Sequence, residues 1–382
     1  MKIALVYDMI YPHNIGGAEI RNYELARRLG RKHEVHLFGV KLWDGPDVVR
    51  KDGLVLHGVC RYGDGNRFSG KRSVLEPLKF AFALFRPILS ERFDVIDSSA
   101  FPYLHCFTCW IVSRLKGTPL VITWHQWWGT YWRTYVGGIK GFFGEAIERL
   151  TVHLTKNHVS ISNIVKNELV AASAGESGVF VNYDGVDLGR ISSLPAGRET
   201  YDILFVGRFA HQKNISLLVE AVGILTGEFP SIRVLLVGDG PDMDGIRGLT
   251  KELGLEANIT FTGLVADRDR VYSLMKSAKV LVLPSLLEGF GVVVAEAKAC
   301  GLPAIVTDNK WNASKELIDG DGLVVEGSPE SLASAIRRLL TDESLRSKMG
   351  RAALGRASSF SWDRSASELE RYYAGRTGWK QG

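Results

Sequence analysis

The chain has 382 residues, of which 46% are hydrophobic and 23% are charged, and its formal net charge is +5 at pH 7. Domains usually contain about 100 to 200 residues, so this length and composition predict two globular domains, each with its own core. The mild charge, with no long Lys/Arg tract, excludes a nucleic-acid-binding surface, and we expect no nucleic-acid partner. It is compatible with a phosphorylated substrate or an anionic membrane surface.

The cysteines and the apolar runs indicate a cellular compartment. Four scattered cysteines are too few for a disulfide framework, which is typical of a reducing environment. Cys106 and Cys109 form a C-x-x-C motif, but they lie in an apolar run typical of a core helix, and no second pair completes a zinc site. The first apolar run is too short for a signal peptide, and no run approaches the roughly 18 apolar residues of a spanning helix. We expect a cytoplasmic protein, free or at the cytoplasmic face of a membrane.

Apolar runs without alternation, typical of buried parallel strands, recur through the first half. A first glycine-rich loop, with Gly16 and Gly17, follows the first run and precedes a helical pattern over 20–29. Glycine here lets a phosphate or a sugar approach the backbone, although any doubly wound domain can carry one. The strands of this half are predicted at 2–7, 35–39, 54–57, 119–125, 158–162 and 179–183.

The strand at 119–125 ends in His125, at the carboxyl end where open α/β sheets bind their ligands. An aromatic segment follows, with Trp127, Trp128 and Trp132. So many indoles are unusual for a core alone, because each buried indole needs a hydrogen-bond partner. Two functions remain open for them, stacking on a sugar acceptor or lying at a lipid interface.

Two further segments bear on the lipid alternative. Phe142 and Phe143, with Lys140 close by, extend the aromatic segment. The helix predicted at 73–89 carries basic residues beside phenylalanines, which favours either a membrane surface or a core helix whose Lys and Arg side chains reach the solvent.

The second half alternates strands and helices regularly, which predicts a parallel sheet with both faces covered. Its strands are predicted at 202–207, 233–238, 259–263, 279–283, 303–307 and 322–326. The fold class is therefore α/β, with two Rossmann-like domains at residues 1–185 and 186–361 and a helical tail at 362–382.

Two loops of the second half carry groups suited to a nucleotide. Arg208 and Lys213 follow the first strand and are the cations a diphosphate requires, although isolated charges are more often surface residues. The next loop, Gly238-Asp239-Gly240, matches a dinucleotide-binding motif only in part, because the third glycine is missing. Asp242 and Asp244, just after it, spell a metal-binding Asp-x-Asp of a different architecture, or are acids that favour the start of a helix.

The most informative stretch runs from 284 to 296. Gly289 and Gly291 open the backbone at a strand-to-helix loop, where the free amides of the helix start favour an anion. Glu288 and Glu296 flank this place, and carboxylates bind neighbouring hydroxyl groups well. Hydroxyls on both sides of a diphosphate describe a nucleotide-sugar. The alternative is that both glutamates are solvated surface acids.

Glu288 and Glu296, separated by seven residues with Gly-Phe-Gly after the first, resemble the paired glutamates of the family-4, retaining glycosyltransferases of GT-B fold. The resemblance implies two Rossmann-like domains that face each other across a cleft, with the C-terminal helix returning to the first domain. It implies that the first domain binds the acceptor and the second binds a nucleoside-diphosphate sugar. It also implies that Glu288 contacts the transferred sugar and Glu296 the ribose, with no metal and no cofactor.

Further residues can be compared with the family position by position, and two of them differ from its pattern. Gln126 stands where family members commonly have Asp after the histidine, and Asp184 stands in the Asn position of an Asn-Gly-Val-Asp segment. The catalytic residues it implies are His125, Arg208, Lys213 and Glu288. The donor-binding residues are Gly16, Gly17, Gly207, Gly238, Asp239, Gly240, Leu264, Gly289, Phe290, Gly291 and Glu296, and the acceptor-binding residues are Tyr11, His13, Trp127, Trp128 and Trp132.

The expected reaction is the transfer of a sugar to a hydroxyl acceptor on a glycan, a glycolipid or a polyprenyl-linked sugar. The donor nucleotide can be uridine, guanosine or adenosine diphosphate. No residue stands out as a nucleophile, which suits the front-face displacement usually described for the family. Two alternatives stay open, a nucleotide-sugar epimerase of similar fold and a non-catalytic nucleotide-sugar-binding protein.

Overall fold

The computed structural model describes residues 1–14, 16–62 and 75–379. These residues form two compact units, Met1–Asp184 together with Trp362–Gly382, and Gly185–Ser361. Residues 73 and 74, at the start of the helix predicted at 73–89, lie outside the described residues.

The first unit is built on one sheet, in which the described residues form eight strands in the order β3-β4-β2-β1-β5-β6-β7-β8. Neighbouring strands are parallel except β3 and β4, which are antiparallel. The strands are β1 (Lys2–Val6), β2 (Glu34–Val40), β3 (Val48–Lys51), β4 (Leu54–Cys60), β5 (Val95–Ser99), β6 (Leu120–Trp124), β7 (His158–Ser160) and β8 (Val179–Val181).

Helices cover both faces of this sheet. Alternate residues of β1 enter different apolar clusters, Ile3 and Leu5 one and Ala4 and Val6 the other, because side chains alternate across a strand. Cys106 and Cys109 are buried free thiols in the second cluster, as expected for a core helix. The helices are α1 (Gly17–Leu29), α2 (Leu75–Ser90), α3 (Leu104–Lys116), α4 (Tyr131–Tyr135), α5 (Gly138–Val152) and α6 (Asn163–Leu169).

The second unit, whose residues are all described, has a parallel six-stranded sheet in the order β11-β10-β9-β12-β14-β16. A short parallel pair, β13 with β15, lies beside it. The strands are β9 (Tyr201–Val206), β10 (Val234–Val237), β11 (Ile259–Gly263), β12 (Ala278–Leu283), β13 (Leu287–Glu288), β14 (Ala304–Thr307), β15 (Trp311–Asn312) and β16 (Gly322–Val325). The helices are α7 (Leu188–Ser193), α8 (Ile215–Leu225), α9 (Met243–Glu252), α10 (Arg268–Met275), α11 (Val292–Ala299), α12 (Pro329–Thr341) and α13 (Glu343–Ala357).

The last helix, α14 (Trp362–Thr377), belongs to the first unit, as the sequence predicts. Its apolar face, with Trp362, Leu369 and Tyr373, packs in the same cluster as α1. The Tyr373 hydroxyl donates a hydrogen bond to the buried Asp97 on β5. Within the described residues, no helix combines the length and the apolar character needed to span a bilayer.

Strand order reverses once in each sheet, and each reversal brings two loops together. The chain leaves β1 on one side through β2 and on the other through β5, and it leaves β9 on one side through β10 and on the other through β12. Open α/β sheets bind ligands at such switch points, at the carboxyl ends of the strands. The loops after β1, β5, β9 and β12 are therefore the places to look for a site.

Candidate functional site

The loops after β9 and β12 meet at the switch point of the second sheet. The backbone N–H of Leu286 donates to the carbonyl of Gln212, with 2.8 Å between nitrogen and oxygen. This bond joins the loop that carries Arg208 and Lys213 to the loop that carries Glu288. The structure thus brings together two segments that lie about 75 residues apart in the sequence.

Glu288 is held in a defined position at this junction. It lies on β13, which pairs with β15, and its side chain is buried, with 7% exposed. The ammonium of Lys213 donates to its Oε1, and so does the hydroxyl of Ser285, at 2.8 Å. In the described part of the chain these side-chain bonds all fall on Oε1, which leaves Oε2 to accept from a ligand. The contact of Ser285 with Glu288 was not predicted, because this serine has no distinctive pattern in the sequence.

The loop after β12 needs glycine at its end. Gly291 has φ of +91°, and a Cβ built there would lie 2.6 Å from the Cβ of Ser314. Helix α11 starts at the next residue and directs its first amides toward the loop. Phe290 has a buried side chain that packs against Phe360, with ring centroids 5.9 Å apart, so only its backbone is placed to contact a ligand.

Glu296, on α11, is the second buried carboxylate, with 5% exposed. The Arg268 guanidinium forms an ion pair with its Oε1, and the Tyr272 hydroxyl donates to the same atom at 3.2 Å. The Arg268 Nη2 also donates to the Tyr272 hydroxyl at 2.9 Å, which orders both side chains. The burial of Glu288 and Glu296 rules out the alternative that they are solvated surface acids. Arg268 and Tyr272 were not predicted, because their contact with Glu296 joins different helices.

The two glycine-containing loops after β9 and β10 pack backbone against backbone. A Cβ on Gly238 would lie 1.8 Å from the Gly207 carbonyl oxygen, and one on Gly240 would lie 2.2 Å from the Phe209 carbonyl oxygen. The backbone N–H of Phe209 donates to the carbonyl of Asp239 at 2.9 Å. These glycines are required by this close packing, whatever else they contact.

The remaining predicted groups of the second unit lie at its surface. Arg208 is exposed and, among the residues that the structure describes, makes no hydrogen bond or ion pair. Leu264, just after β11, has 67% of its surface exposed. Asp239 is exposed, and its carboxylate accepts from the next amide, that of Gly240, at 2.7 Å. Asp244 lies in the first turn of α9, as expected for an acid that favours a helix start.

His125 follows β6 at the carboxyl edge of the first sheet. Its Nε2 lies 3.1 Å from the Ser99 hydroxyl, which also accepts from the Asn22 amide at 3.1 Å. Ser99 can donate its own proton to Nε2, and in that arrangement the imidazole proton lies on Nδ1. Burial, with the nearby charge of Arg21, lowers the pKa of His125 to about 3, so the ring is neutral.

The loop after β1 leads into α1, with Gly16 as the residue that precedes the helix and Gly17 as its first residue. Glu19, in the first turn, is buried and accepts a hydrogen bond from the Asn14 amide at 2.7 Å. Two residues of this loop are paired with rings from elsewhere in the unit. Tyr11 lies 5.0 Å from Tyr23, and His13 lies 5.9 Å from Trp43, measured between ring centroids.

The indole side chains do not all share one environment. Trp127 is buried beside Trp124 in the core, so its ring does not line the surface. Trp128 and Trp132 are half-buried and stacked, with centroids 5.0 Å apart and 28° between the planes.

A buried carboxylate, Glu148 on α5, fixes the aromatic segment. It accepts from the backbone amides of Trp128 at 2.9 Å and Gly129 at 2.7 Å, and from the Tyr103 hydroxyl at 2.7 Å. Burial raises the pKa of Glu148 to about 7. The sequence pattern of α5 gave no sign of this role, because a glutamate on an amphipathic helix usually faces solvent.

Comparison with known proteins agrees with this architecture. The family model described as "Glycosyltransferase Family 4" matches residues 15–190, and "Glycosyl transferases group 1" matches residues 191–356. The D-inositol 3-phosphate glycosyltransferase of Paenarthrobacter aurescens is 31% identical over 291 residues, which cover 68% of each chain. The chain belongs to the family 4 glycosyltransferases.

Solved structures show the fold of this glycosyltransferase. Sucrose-phosphate synthase from Thermosynechococcus elongatus superposes with a TM-score of 0.83 and 22% identity over 99% of each chain. HepE from Anabaena, solved in complex with UDP-glucose, superposes with a TM-score of 0.76 and 18% identity over 98% of this chain and all of that one. The GT-B fold predicted from the sequence is confirmed.

The second unit of the glycosyltransferase thus combines three chemical features at one switch point. They are a cation, two buried carboxylates whose side-chain bonds within the described residues fall on Oε1, and a helix start reached by a glycine. This combination can bind an anion and the hydroxyl groups on either side of it.

Proposed function

We propose that this glycosyltransferase moves a sugar from a nucleoside-diphosphate sugar to a hydroxyl acceptor, with retention of the anomeric configuration. The observation that carries the proposal is the Lys213–Glu288 ion pair at the switch point of the second unit, beside the start of α11. Glu296 follows about one and a half turns into that helix. An ordinary structural ion pair needs neither the glycine at 291 nor a second carboxylate held in the same way.

Two kinds of groups would bind the donor, positively charged groups and carboxylates. Arg208, Lys213 and the amides around Gly291 suit the diphosphate, because breaking the sugar–phosphate bond places negative charge on the leaving oxygen. The Oε2 atom of Glu296 is suited to the ribose hydroxyls and that of Glu288 to the hydroxyls of the transferred sugar. Both carboxylates are already oriented, so little ordering is required when the donor binds.

In the proposed step the bond from the anomeric carbon to the phosphate oxygen breaks, and a bond to the acceptor oxygen forms on the same face. The acceptor proton passes to the leaving phosphate, so no protein base is required. In the first unit we propose His125 as a neutral hydrogen-bonding group at the carboxyl edge of its sheet, since burial lowers its pKa to about 3.

A uridine nucleotide is the first donor to test, because HepE, which shares the fold, was solved with UDP-glucose. The acceptor is assigned to the first unit, where the stacked Trp128 and Trp132 suit the apolar face of a sugar.

We also propose that the first unit contacts an anionic membrane surface through α5. Ile139, Phe142 and Phe143 are exposed at 76%, 57% and 59%, and their spacing places them on adjacent positions of one helix. Lys140, which is exposed, supplies positive charge beside them, whereas the guanidinium of Arg133 is paired with Glu145 at 2.7 Å. We expect co-sedimentation with vesicles that contain phosphatidylglycerol, and a loss of at least about tenfold in the F142S/F143S variant. Equal binding by both proteins would contradict this assignment.

The proposed function is tested by saturation-transfer NMR with UDP-, GDP- and ADP-sugars in the presence of a chelator, followed by analysis of products with added acceptors. We expect one nucleotide class to bind selectively and an acceptor-dependent product whose anomeric configuration matches that of the donor. Donor conversion that needs no acceptor would favour an epimerase, and binding of no nucleotide-sugar would contradict the proposal.

A further inference from the structure

A second cluster of ligand-type side chains lies near the amino-terminal ends of the strands in the first unit. His36 is on β2 and His57 on β4, and both imidazoles are buried, with 3% and 6% exposed. Glu91 joins them from the segment between α2 and β5. This is the edge of the sheet away from His125, so the cluster is separate from the residues assigned above to sugar transfer.

The ligand-type atoms of the three side chains lie close to one another. His36 Nδ1 lies 2.8 Å from His57 Nε2 and 3.9 Å from a Glu91 carboxylate oxygen. One ligand atom from each residue lies within 4.8 Å of the other two.

A fourth residue orients the first histidine. The Glu34 carboxylate lies 2.9 Å from Nε2 of His36 and can accept its proton, which turns the lone pair of Nδ1 toward His57. Histidines that bind metals usually donate their other ring N–H to a carboxylate in this way.

We propose that His36 Nδ1, His57 Nε2 and a Glu91 oxygen bind one Zn²⁺ ion, with a water molecule as the fourth ligand. Two imidazoles and a carboxylate are an ordinary ligand set for zinc. Tetrahedral ligands about 2.0–2.1 Å from zinc lie about 3.3 Å apart, so the two rings have to separate by about 0.5 Å. His57 moves its proton to Nδ1, and the ion then links β2, β4 and the segment before β5.

Lys2 provides a further test of the proposal, because its ammonium competes with a zinc ion for the same carboxylates. Its Nζ lies 2.5 Å from Glu91 Oε2 and 3.2 Å from Glu34 Oε1. A positive charge at this distance opposes a divalent cation. Removing it should therefore strengthen zinc binding, whereas removing a ligand should weaken it.

The test is isothermal titration calorimetry of ZnCl₂ into chelator-treated protein without a histidine tag, with Co²⁺ absorption as a second measure of tetrahedral binding. We expect one ion per chain for the wild type and for H153Q, which removes an exposed histidine elsewhere in the unit. H57Q should lose stoichiometric binding, E91Q should bind at least about tenfold more weakly, and K2M should bind several-fold more tightly.

Glu91 is partly exposed, with 32% of its side chain accessible, so E91Q keeps the test valid if H57Q does not fold. Circular dichroism checks the fold of each variant. A wild type that binds no zinc at stoichiometric level, or unchanged affinity in E91Q and a folded H57Q, would overturn the proposal.

Discussion

The side-chain bonds to Glu288 and Glu296 fall, within the described residues, on one oxygen of each carboxylate. Lys213 and Ser285 hold the first, and Arg268 and Tyr272 hold the second. A buried carboxylate costs several kcal/mol unless its charge is paired and hydrogen-bonded. In the described residues these bonds are made at Oε1 of each carboxylate, and we propose that Oε2 accepts from hydroxyl groups of the donor.

Glu288→Gln should chiefly slow turnover. The substitution removes a charged acceptor worth about 1.5 to 3 kcal/mol, so we expect kcat to fall roughly tenfold to a hundredfold. The measurement is the steady-state rate with saturating donor. Glu256→Gln, at an exposed position after α9, is the matched control and should keep the wild-type rate. Wild-type kcat in both variants would contradict the role of Glu288.

Arg268 acts on Glu296 and, in our account, not on the donor itself. Arg268→Met removes the ion pair that orients Glu296, and we expect donor Kd to rise by about tenfold, the effect typical of losing one charged hydrogen bond. Arg270→Met, at an exposed position of the same helix, should leave donor Kd unchanged. Fluorescence or calorimetric titration with donor measures both, and equal affinities would show that Arg268 has no positioning role.

Glu148 should make stability depend on pH. Burial raises its folded-state pKa to about 7 from a usual value of 4.5, so the folded protein binds more protons than the unfolded chain between these values. Its contribution to stability is therefore complete at low pH and is lost as pH rises from about 4.5 to about 7. By 1.36 kcal/mol per pKa unit, the loss is at most about 3 kcal/mol.

Urea unfolding of the wild type and of Glu148→Gln across this range measures the effect of Glu148. The difference in unfolding free energy, wild type minus variant, should decline as pH rises through this window and stay constant above it. A difference that does not change with pH would contradict the raised pKa.

At the scale of elements, α14 is fastened to the first sheet by a buried polar contact as well as by its apolar face. Asp97 on β5 accepts from the Tyr373 hydroxyl and, at 2.7 Å, from Thr123 on β6. Burial raises the pKa of Asp97, and these two donors oppose that effect. The contact joins residues far apart in the sequence and adds to the apolar packing of α14.

Tyr373→Phe should lower the free energy of unfolding by about 1.5 to 3 kcal/mol, because Asp97 keeps only Thr123 as a donor. Tyr372→Phe is the control, since the Tyr372 hydroxyl lies 3.4 Å from the carbonyl of His158 and does not contact Asp97 in the described part of the chain. Urea unfolding followed by circular dichroism compares the two variants. If both variants are equally stable, the buried hydrogen bond does not hold the helix.

Most of the strands that the sequence predicted are rich in apolar side chains, such as β10 and β12. All six predicted strands of the second sheet are present, with ends that differ by a residue or two. Two strands of the first sheet were missed. β5 ends in Asp97, Ser98 and Ser99, which look like a loop but are buried, and β3 is an edge strand with the charged residues Arg50 and Lys51.

At the scale of the whole molecule, sequence reasoning located the loops of the candidate site better than the contacts within it. The glycines and Glu288 were predicted because their spacing follows a strand. Helix α9 starts only at Met243, because the backbone of Asp239 and Asp242 before it is hydrogen-bonded to Phe209 in the loop after β9. Partners such as Arg268 and Glu148 were missed because only the tertiary fold brings them to the residues they hold.

The indoles illustrate the same limit. Their number alone suggested that the indoles do not all belong to a core. In the tertiary fold, some of them are buried and others are half-buried. Trp124 and Trp127 are buried, and the Trp124 indole N–H finds a partner in His158 Nδ1 at 3.1 Å. Trp128 and Trp132 remain half-buried and keep their place in the proposed acceptor site.

The measurement that tests the central claim most directly is a calorimetric titration of the preferred nucleotide-sugar, in the presence of EDTA, into the wild type and Glu296→Gln. We expect one donor per chain without any divalent metal, and an affinity about tenfold to a hundredfold weaker in the variant. Donor affinity that is equal in both proteins would contradict the assignment of the donor site to the switch point of the second unit.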